Sequence, residues 1–429
     1  MIQKKPLQLS GDFQYVIEVL EKTSKSMFIT GKAGTGKSTL LQLFRRSTRK
    51  KTVILAPTGV AALNVKGQTI HSFFKFPAKL LHKHDIKKHR FRKLYQKIEV
   101  IIIDEVSMVR ADLMDNIDVF LRKNRENDVP FGGVQMVFFG DLFQLPPVVS
   151  TEEERHLFKT EFESPYFFSA HVFQNFEMDR VELSRIYRQD NRHFIRLLEA
   201  VRNNSVDFED LEDLNVRYQR DPQVEEHHIT LSATNATVNR INQRELEQLE
   251  TEAFVYLGKT EGQFDPRVYP TDLVLTLKVG AKVMFIKNDS DGNFVNGTIG
   301  TVSELTTDNI KVLVEEDQRS EVLKVPKMEW EILKYKINEK DENKLDTEVV
   351  GKFTQYPLKL AWAITIHKSQ GKTFDKMIID LGRGAFAHGQ TYVALSRCRT
   401  LEGIILKQKL KPQDVLVDER IIDLSLIHI

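Results

Sequence analysis

The sequence predicts an α/β protein built from two units with parallel sheets, the second of which carries an inserted antiparallel β-barrel. In the first 180 residues, short apolar runs alternate with helical patterns, and four such runs stand out: SMFIT (26–30), TVILA (52–56), VIIID (100–104) and VQMVFFGD (134–141). That alternation is typical of an open parallel sheet with helices on both faces. Between about residues 265 and 350 the pattern changes to short alternating strands separated by turn residues, which is typical of a small barrel.

The second parallel unit is predicted to begin at residue 181 and to be interrupted by the barrel. Its candidate strands are HHITLSATN (227–235), LKLAWAIT (358–365), KMIIDL (376–381) and GIILK (403–407). The predicted division is a first unit at 1–180, a second unit at 181–264 and 351–429, and the barrel at 265–350. In the first unit an amphipathic helix is predicted after VIIID, because apolar residues recur there at four-residue intervals: Val109, Leu113, Ile117 and Leu121.

Composition excludes several classes of protein. With 429 residues, 41% of them hydrophobic and 28% charged, the chain has the make-up of an ordinary globular protein with more than one domain. It has no apolar run long enough to span a membrane and no apolar signal core near the N-terminus. We therefore expect a cytoplasmic protein with no membrane partner, associated with the nucleoid if bacterial. Cys398 is the only cysteine, which excludes an internal disulfide and a cysteine-based zinc cluster.

The positive charge is concentrated in one segment. The net charge is only +2, but residues 75–97 contain nine Lys or Arg and one acid, which gives +8 there and leaves −6 for the rest. A solvated basic surface would explain this run. A surface that faces the phosphates of a nucleic acid would explain it as well, because each neutralised phosphate releases a counterion.

The segment GKAGTGKST (31–39) matches the phosphate-loop pattern G-x-x-x-x-G-K-[ST] and lies between a predicted strand and a predicted helix. In such a loop the backbone N–H groups point at the phosphates from the positive end of the helix. Lys37 would neutralise the phosphates, and the hydroxyl of Ser38 would hold Mg²⁺. We expect the chain to bind ATP with Mg²⁺ through this loop, at Gly34, Thr35, Gly36, Lys37, Ser38 and Thr39.

Two later strand ends carry residues suited to hydrolysis of a bound triphosphate. IIIDE (101–105) is an apolar strand that ends in two carboxylates: Asp104 would hold Mg²⁺, and Glu105 would take a proton from the attacking water. GDLFQLPPV (140–148) follows the next strand, and Gln144 is the residue type that orients this water and senses the γ-phosphate. A turn with a buried amide is the alternative for Gln144.

Further strand ends carry residues suited to nucleic acid. In the first unit, the segment APTGVAALNVKGQTIHSFF (56–74) offers Thr58, Gly59, His71 and Phe73. In the second unit, two segments after predicted strands offer Thr234, Asn235, Thr365, His367 and Lys368, followed by Gly371 as a candidate contact to ATP. Hydroxyls and amides suit phosphates, and aromatic rings suit base stacking. Phenylalanines at such positions are also common core residues, so Phe73 has both interpretations.

Two arginines of the second unit are candidates for the same triphosphate site. Arg188 lies in LSRIYRQD at the start of that unit, and Arg397 lies in YVALSRC near its end. If the two units face each other across the nucleotide, both guanidiniums would reach the γ-phosphoryl group from the wall opposite the phosphate loop. Ordinary surface ion pairing is the alternative for each arginine.

Taken in order, these segments resemble the motifs of superfamily 1B helicases, above all the PIF (petite integration frequency) DNA helicases, which are related to RecD. GKAGTGKST resembles motif I, IIIDEVSM motif II and GDLFQLPPV motif III. SRIYRQDNRHFIRLLEAVRNN resembles motif IV with the signature helix of the family, and WAITIHKSQGKTF and YVALSRCRT resemble motifs V and VI. The resemblance covers nearly the whole chain.

The resemblance implies two RecA-like domains with an ATP cleft, and a motor that moves 5′→3′ on single-stranded DNA and unwinds tailed or forked duplexes. It implies that Arg188 and Arg397 act as arginine fingers and that Gln14 contacts adenine, although Gln14 lies one residue later than the family spacing. It also implies a small wedge near residues 63–76 and a monomer in solution. It leaves the protein partners unknown.

Two other functions fit parts of the sequence. An ATP-gated DNA-binding switch or loader would use the same ATP site but separate no strands. A P-loop kinase of a small molecule would need a substrate pocket and a lid in place of a second α/β unit with two arginines.

Overall fold

The computed structural model describes residues 11–77, 80–90, 92–220, 228–289, 291, 293–316, 319–338 and 345–426. Part of the basic run (residues 78, 79 and 91), residue 227 of HHITLSATN and the residues before Gly11 lie outside the described residues. Within the described ranges, no helix has the length and apolarity needed to cross a membrane.

The strands follow the chain in this order: β1 (Met27–Gly31), β2 (Thr52–Ala56), β3 (Gln68–Thr69), β4 (Val100–Ile103), β5 (Gln135–Phe139), β6 (Asp179–Leu183), β7 (Ile229–Ser232), β8 (Ala253–Leu257), β9 (Lys259–Gly262), β10 (Val274–Lys278), β11 (Lys282–Phe285), β12 (Ile299–Leu305), β13 (Ile310–Glu316), β14 (Arg319–Val325), β15 (Met328–Ile337), β16 (Leu345–Gln355), β17 (Leu358–Leu360), β18 (Ala363–Thr365), β19 (Met377–Asp380) and β20 (Ile404–Leu406).

The α-helices are α1 (Gly11–Lys22), α2 (Lys37–Ser47), α3 (Gly59–Asn64), α4 (Ile70–Phe74), α5 (Arg92–Lys97), α6 (Ala111–Arg125), α7 (Glu152–Thr160), α8 (Arg192–Asn203), α9 (Phe208–Asn215), α10 (Asn235–Gln248), α11 (Gln390–Leu395) and α12 (Glu419–Leu426). Helix α6 confirms the predicted amphipathic helix, since Ile117 and Leu121 are buried on one face.

The first unit is a six-stranded parallel sheet in the order β3-β2-β4-β5-β1-β6. The four apolar runs of the sequence form β1, β2, β4 and β5, and the last three residues or more of each strand are buried. Strand β6 pairs with β1 in this sheet, so the predicted boundary at residue 180 falls inside a strand of the first unit. The parallel α/β fold is confirmed for this half of the chain.

The second parallel sheet has the order β18-β7-β19-β20. The run LKLAWAIT, predicted as one strand, is divided: Leu358–Leu360 pairs with β11 of the insert, and Ala363–Thr365 pairs with β7 of this sheet. Both halves are apolar, so the hydrophobic pattern gives no sign of the bend between them. The last helix, α12, contacts the first unit, since Arg420 donates a hydrogen bond of 2.6 Å to the Glu163 carbonyl there.

The insert is larger than the predicted 265–350, since it runs from β8 to β17. Its strands form a five-stranded antiparallel sheet, β14-β13-β12-β11-β17, with the β10-β8 pair packed on the same apolar core. A long hairpin, β15–β16, pairs with β9 and was not predicted. It extends to the first unit, where the Tyr335 hydroxyl accepts a hydrogen bond of 3.0 Å from the backbone N–H of Ile54.

Residues 63–76, predicted to form a small inserted wedge, belong instead to the body of the first unit. Gln68–Thr69 forms the edge strand β3, and α4 follows directly. The side chains of Ile70, Phe73 and Phe74 are at most 3% exposed. The wedge prediction is therefore wrong for this segment, because its apolar residues complete the core instead of protruding from it.

Candidate active site and nucleic-acid interface

The phosphate loop connects β1 to α2 and is held by its own lysine. The Lys37 ammonium donates hydrogen bonds to the carbonyls of Gly31 (2.6 Å) and Lys32 (3.1 Å). Gly34 and Gly36 have φ angles of 85° and 87°, a region that glycine adopts without strain. Burial lowers the pKa of Lys37, while the nearby charges of Asp141 and Glu105 oppose that change. The two carboxylates therefore lie within electrostatic reach of the loop.

The paired carboxylates follow β4, beside this loop. Burial, and then the adjacent Glu105, raise the pKa of Asp104 to about 7. Burial also raises the pKa of Glu105, against the opposing charges of Lys37 and Arg397. Glu105 has φ 51° and ψ 44°, a left-handed conformation that is uncommon for residues other than glycine and is often kept at functional sites.

The surroundings of Asp104 suit the magnesium role predicted for it, and the matching role of Ser38 stays a prediction. A buried carboxylate whose pKa is raised by a second carboxylate is an environment that a cation would stabilise. Among the described residues there is no group of three or more His, Cys, Asp or Glu arranged to hold a metal. Magnesium is commonly held by one or two protein ligands together with substrate phosphates, so Asp104 and Ser38 would be enough as protein ligands.

Gln144 is buried and linked to both units. Its amide Nε2 donates to Asp141 Oδ2 at 3.1 Å, and its Oε1 accepts from Gln370 Nε2 of the second unit at 3.4 Å. Asp141 in turn pairs with Arg202 on α8, with 3.3 Å between Oδ1 and Nη2. The Arg202 guanidinium lies 3.9 Å from the ring centroid of Phe143. Gln144 is therefore held by both units at once.

The two arginines of the second unit meet at one residue beside the phosphate loop. Arg188 donates from Nη1 to the Ser396 carbonyl at 3.0 Å, and Arg397 donates from Nη2 to the Ser396 hydroxyl at 2.8 Å. A Cβ built on Gly34 would lie 2.6 Å from the Arg188 Cβ, so only glycine allows this approach. Burial, and then the charge of Arg397, lower the pKa of Arg188 to about 9.

Several residues that the sequence did not single out complete this interface. The Tyr392 hydroxyl accepts a hydrogen bond from the backbone N–H of Ala33, and Lys32 pairs with Glu199 on α8. Gln189 donates to the carbonyls of Ser396 and Cys398 at 3.1 and 2.9 Å. The sequence gives only indirect evidence that Tyr392 and Ser396 are interface residues. The segment QTYVALS has no polar face at helical spacing, as expected of a helix buried on all sides.

The other residues predicted to bind ATP differ in their exposure. Gln14 is exposed on α1, whereas its neighbour Phe13 is the residue that approaches the loop: its Cζ lies 3.0 Å from where a Cβ of Gly36 would stand. Ser38 and Thr39 are exposed at the start of α2, and Thr35 is buried. Gly371 follows Gln370 with φ 76°. Adenine contact by Gln14 stays a prediction.

The predicted DNA contacts of the second unit come together at the carboxyl ends of β7 and β18. Thr234 is the N-cap of α10, and Lys368 Nζ lies 3.5 Å from Asn235 Oδ1. The buried Thr365 hydroxyl accepts the Lys368 N–H at 3.2 Å, which fixes the loop. Burial lowers the pKa of the adjacent His367, which favours the neutral form of its imidazole. Thr234, Asn235 and Lys368 are exposed there.

The predicted DNA contacts of the first unit are less uniform. Thr58 is exposed and caps α3 by accepting the Ala61 N–H at 3.2 Å. Gly59 is covered by the insert, since a Cβ there would lie 2.5 Å from a methyl of Val268. His71 is half-buried, and burial, with Arg110, lowers its pKa.

The structure contradicts base stacking by Phe73. Its ring is 3% exposed and lies in an aromatic cluster with Phe74, Tyr95 and Tyr335, at centroid distances of 4.9, 5.4 and 6.0 Å. Edge contacts from three rings leave no face for a base. Phe73 is therefore a core residue, which was the alternative interpretation.

Part of the basic run is neutralised within the first unit. Lys83 pairs with Asp115 at 2.8 Å, and Lys88 and Arg92 both pair with Glu126 at 2.7 Å. These partners lie on α6 or at its C-cap. For these three residues the structure favours a solvated, ion-paired surface over direct contact with phosphates.

Comparison with known proteins agrees with this site. A family model described as PIF1-like helicase matches residues 10–212. The ATP-dependent DNA helicase Pif1 of Bdellovibrio bacteriovorus is 31% identical and aligns with 97% of this chain and 91% of its own length.

Two solved structures of Pif1 from Bacteroides share 38% identity with this chain and cover 97% of it, as well as 96% of their own chains. The unliganded structure has a TM-score of 0.89, and the complex with ADP-AlF3 and single-stranded DNA has a TM-score of 0.70. Because identity and coverage are the same, the difference lies in how the parts are arranged. The arrangement in the present chain is closer to that of the unliganded relative than to that of the DNA complex.

Proposed function

The chain belongs to the family of PIF1-like helicases, which are ATP-dependent DNA helicases, and we propose that it moves 5′→3′ along single-stranded DNA and separates tailed or forked duplexes as a monomer. The observation that carries this proposal is that the second unit reaches the phosphate loop: Ser396 accepts hydrogen bonds from both Arg188 and Arg397, and Arg188 lies against Gly34 of the loop. A nucleotide in the loop would then touch both units.

In the hydrolysis step that we propose, the loop amides and Lys37 bind the phosphates of ATP. Glu105 takes the proton of the attacking water, and Gln144 orients that water. Arg188 and Arg397 stabilise the negative charge on the transferring phosphoryl group, as arginine fingers do in other nucleotide hydrolases. Mg²⁺ held by Ser38 and Asp104 would neutralise further phosphate charge.

Coupling to DNA would pass through Gln144 and Gln370. Gln370 lies next to the loop of Thr365, His367 and Lys368, and its amide donates to Gln144. Loss of the γ-phosphate would release the arginines, and the second unit would shift together with its grip on DNA. Alternating grips by the two units would then advance the strand. Separation of one base pair costs about 1.4 kcal/mol in stacking, so small steps are sufficient.

The proposed direction of movement rests on family resemblance. It can be tested by measuring the unwinding of duplexes that carry a single-stranded tail. We expect ATP-dependent unwinding of a duplex with a 5′ single-stranded tail and none of the matched duplex with a 3′ tail. The Lys37→Ala variant serves as the control: it should bind the same DNA but hydrolyse ATP at least about 10²-fold more slowly. Unwinding of the 3′-tailed duplex would contradict the polarity. ATP hydrolysis without unwinding of either duplex would favour a switch or loader.

A further inference from the structure

Three lysines lie within electrostatic reach of one another where the second parallel sheet meets the insert, and we refer to Lys359, Lys368 and Lys372 as the lysine cluster. Lys359 lies on β17 of the insert, and Lys368 lies in the loop after β18. Lys372 follows four residues later. Only Lys368 was among the predicted DNA contacts.

Contacts from both the second unit and the insert hold the lysine cluster in place. Lys359 Nζ donates to the Pro270 carbonyl at 3.2 Å, and Lys372 Nζ donates to the side-chain oxygen of Asn296 in the insert. The neighbouring Gly297 lies against the stem of Lys372, since a Cβ there would be 3.9 Å from Lys372 Cβ. Lys368 Nζ approaches Asn235 of the second unit at 3.5 Å. The lysine cluster therefore spans the joint between the second unit and the insert.

The charges of the cluster repel one another in a partly buried place. Burial, and then the charge of Lys359, lower the pKa of Lys372 to about 8. Burial lowers the pKa of Lys359 too; Asp272 opposes this and Lys368 adds to it. Asp272 is the carboxylate that opposes these three lysines, so positive charge is in excess there. A bound anion would relieve both the repulsion and the loss of hydration.

We propose that the lysine cluster binds a backbone phosphate of single-stranded DNA at the joint between the second unit and the insert. This site extends the track of Thr234, Asn235 and Lys368 towards the insert, and it rests on the proposed function. Lysine ammonium groups recognise phosphate as point charges and read no base sequence. The insert thereby holds the same strand that the second unit holds.

The salt dependence of DNA binding tests this site. We would measure the affinity of a fluorescent oligothymidylate for the full chain over a series of salt concentrations. The slope of log K against log salt is negative, and each lost phosphate contact on single-stranded DNA makes it shallower by about 0.7, which corresponds to about fivefold weaker binding at 0.1 M salt. We expect a change of up to this size for Lys372→Gln and for Lys359→Gln, because each removes one of the charges that hold the phosphate, and no change for Lys372→Arg, which keeps the charge.

Lys324→Gln is the matched control, because Lys324 is an exposed lysine of the insert outside the cluster. It should leave the slope as in the wild type. Lys372→Gln should not melt at a lower temperature than the wild type, since it removes a poorly hydrated charge. A wild-type slope and affinity in both cluster variants would overturn this site. Failure of the wild type itself to bind the oligonucleotide would instead overturn the proposed function.

Discussion

The hydroxyl of Tyr392 accepts a hydrogen bond of 2.9 Å from the backbone N–H of Ala33, across 359 residues of chain. Ala33 lies in the phosphate loop of the first unit, and Tyr392 lies on α11 of the second unit. Burial raises the pKa of Tyr392 well above its usual range, so the hydroxyl keeps its proton at any physiological pH. The second unit therefore contacts the loop backbone directly, in addition to its two arginines.

Tyr392→Phe should loosen this contact while it keeps the ring in place. The Ala33 N–H would lose its partner, which costs about 1–3 kcal/mol for a buried donor. We expect hydrogen exchange at the phosphate-loop amides to become about tenfold faster or more, measured by mass spectrometry. Tyr95→Phe is the matched control, because it also removes one buried hydrogen bond, to the Phe73 carbonyl, but within the first unit. Equal exchange at the loop in both variants would contradict the role of Tyr392.

Phe73→Ala distinguishes a core residue from a base-stacking residue. Because the ring is 3% exposed, its removal should lower the free energy of unfolding by about 3–5 kcal/mol. The affinity of the folded variant for single-stranded DNA should stay within about twofold, since no ring face is accessible to a base. Phe386→Ala, at a ring that is 63% exposed, should leave both quantities near the wild-type values. Loss of DNA affinity without loss of stability would show that Phe73 stacks on a base.

Tyr335→Phe should release the long hairpin from the first unit. The variant leaves the Ile54 N–H without the hydroxyl that accepts it, and each 1.4 kcal/mol lost favours the released arrangement about tenfold. Since Val268 of the insert covers Gly59, a predicted DNA contact, we expect DNA affinity to rise and exchange in β15–β16 to become faster.

The control for this experiment is Tyr256→Phe, which removes a hydrogen bond of 2.7 Å to the Thr306 carbonyl within the insert. It should leave both DNA affinity and hairpin exchange unchanged. Unchanged or weaker DNA binding by Tyr335→Phe would mean that the hairpin does not compete with DNA.

Sequence reasoning succeeded where the signal is local. The strand before Asp104, the loop around Lys37 and the stripe of Ile117 and Leu121 each depend on residues that are adjacent or one turn apart. The parallel fold follows from such segments, because alternating strands and helices have few ways to pack. The approach of Arg188 and Arg397 to the loop was inferred from family resemblance together with the assumption that the two units face each other.

The predictions were wrong where tertiary contacts determine whether a residue is buried and which strand it pairs with. Phe73 and the predicted wedge are apolar in sequence, and only the packing of α4 and Tyr335 shows that they are core. The bend that divides β17 from β18 leaves the hydrophobic pattern unchanged. Tyr392, Ser396 and Arg202 act through partners more than 60 residues away or on another body, so no spacing in the sequence could reveal them.

The rate of ATP hydrolysis by Arg397→Lys, at saturating ATP and single-stranded DNA, tests the central claim most directly. Arg397 would act on the transferring phosphoryl group, so kcat should fall about 10³-fold or more while nucleotide affinity stays within about threefold of the wild type. Arg399→Lys, at an exposed arginine paired with Asp375, should retain wild-type kcat. A kcat for Arg397→Lys within about tenfold of the wild type would contradict a nucleotide site completed by the second unit.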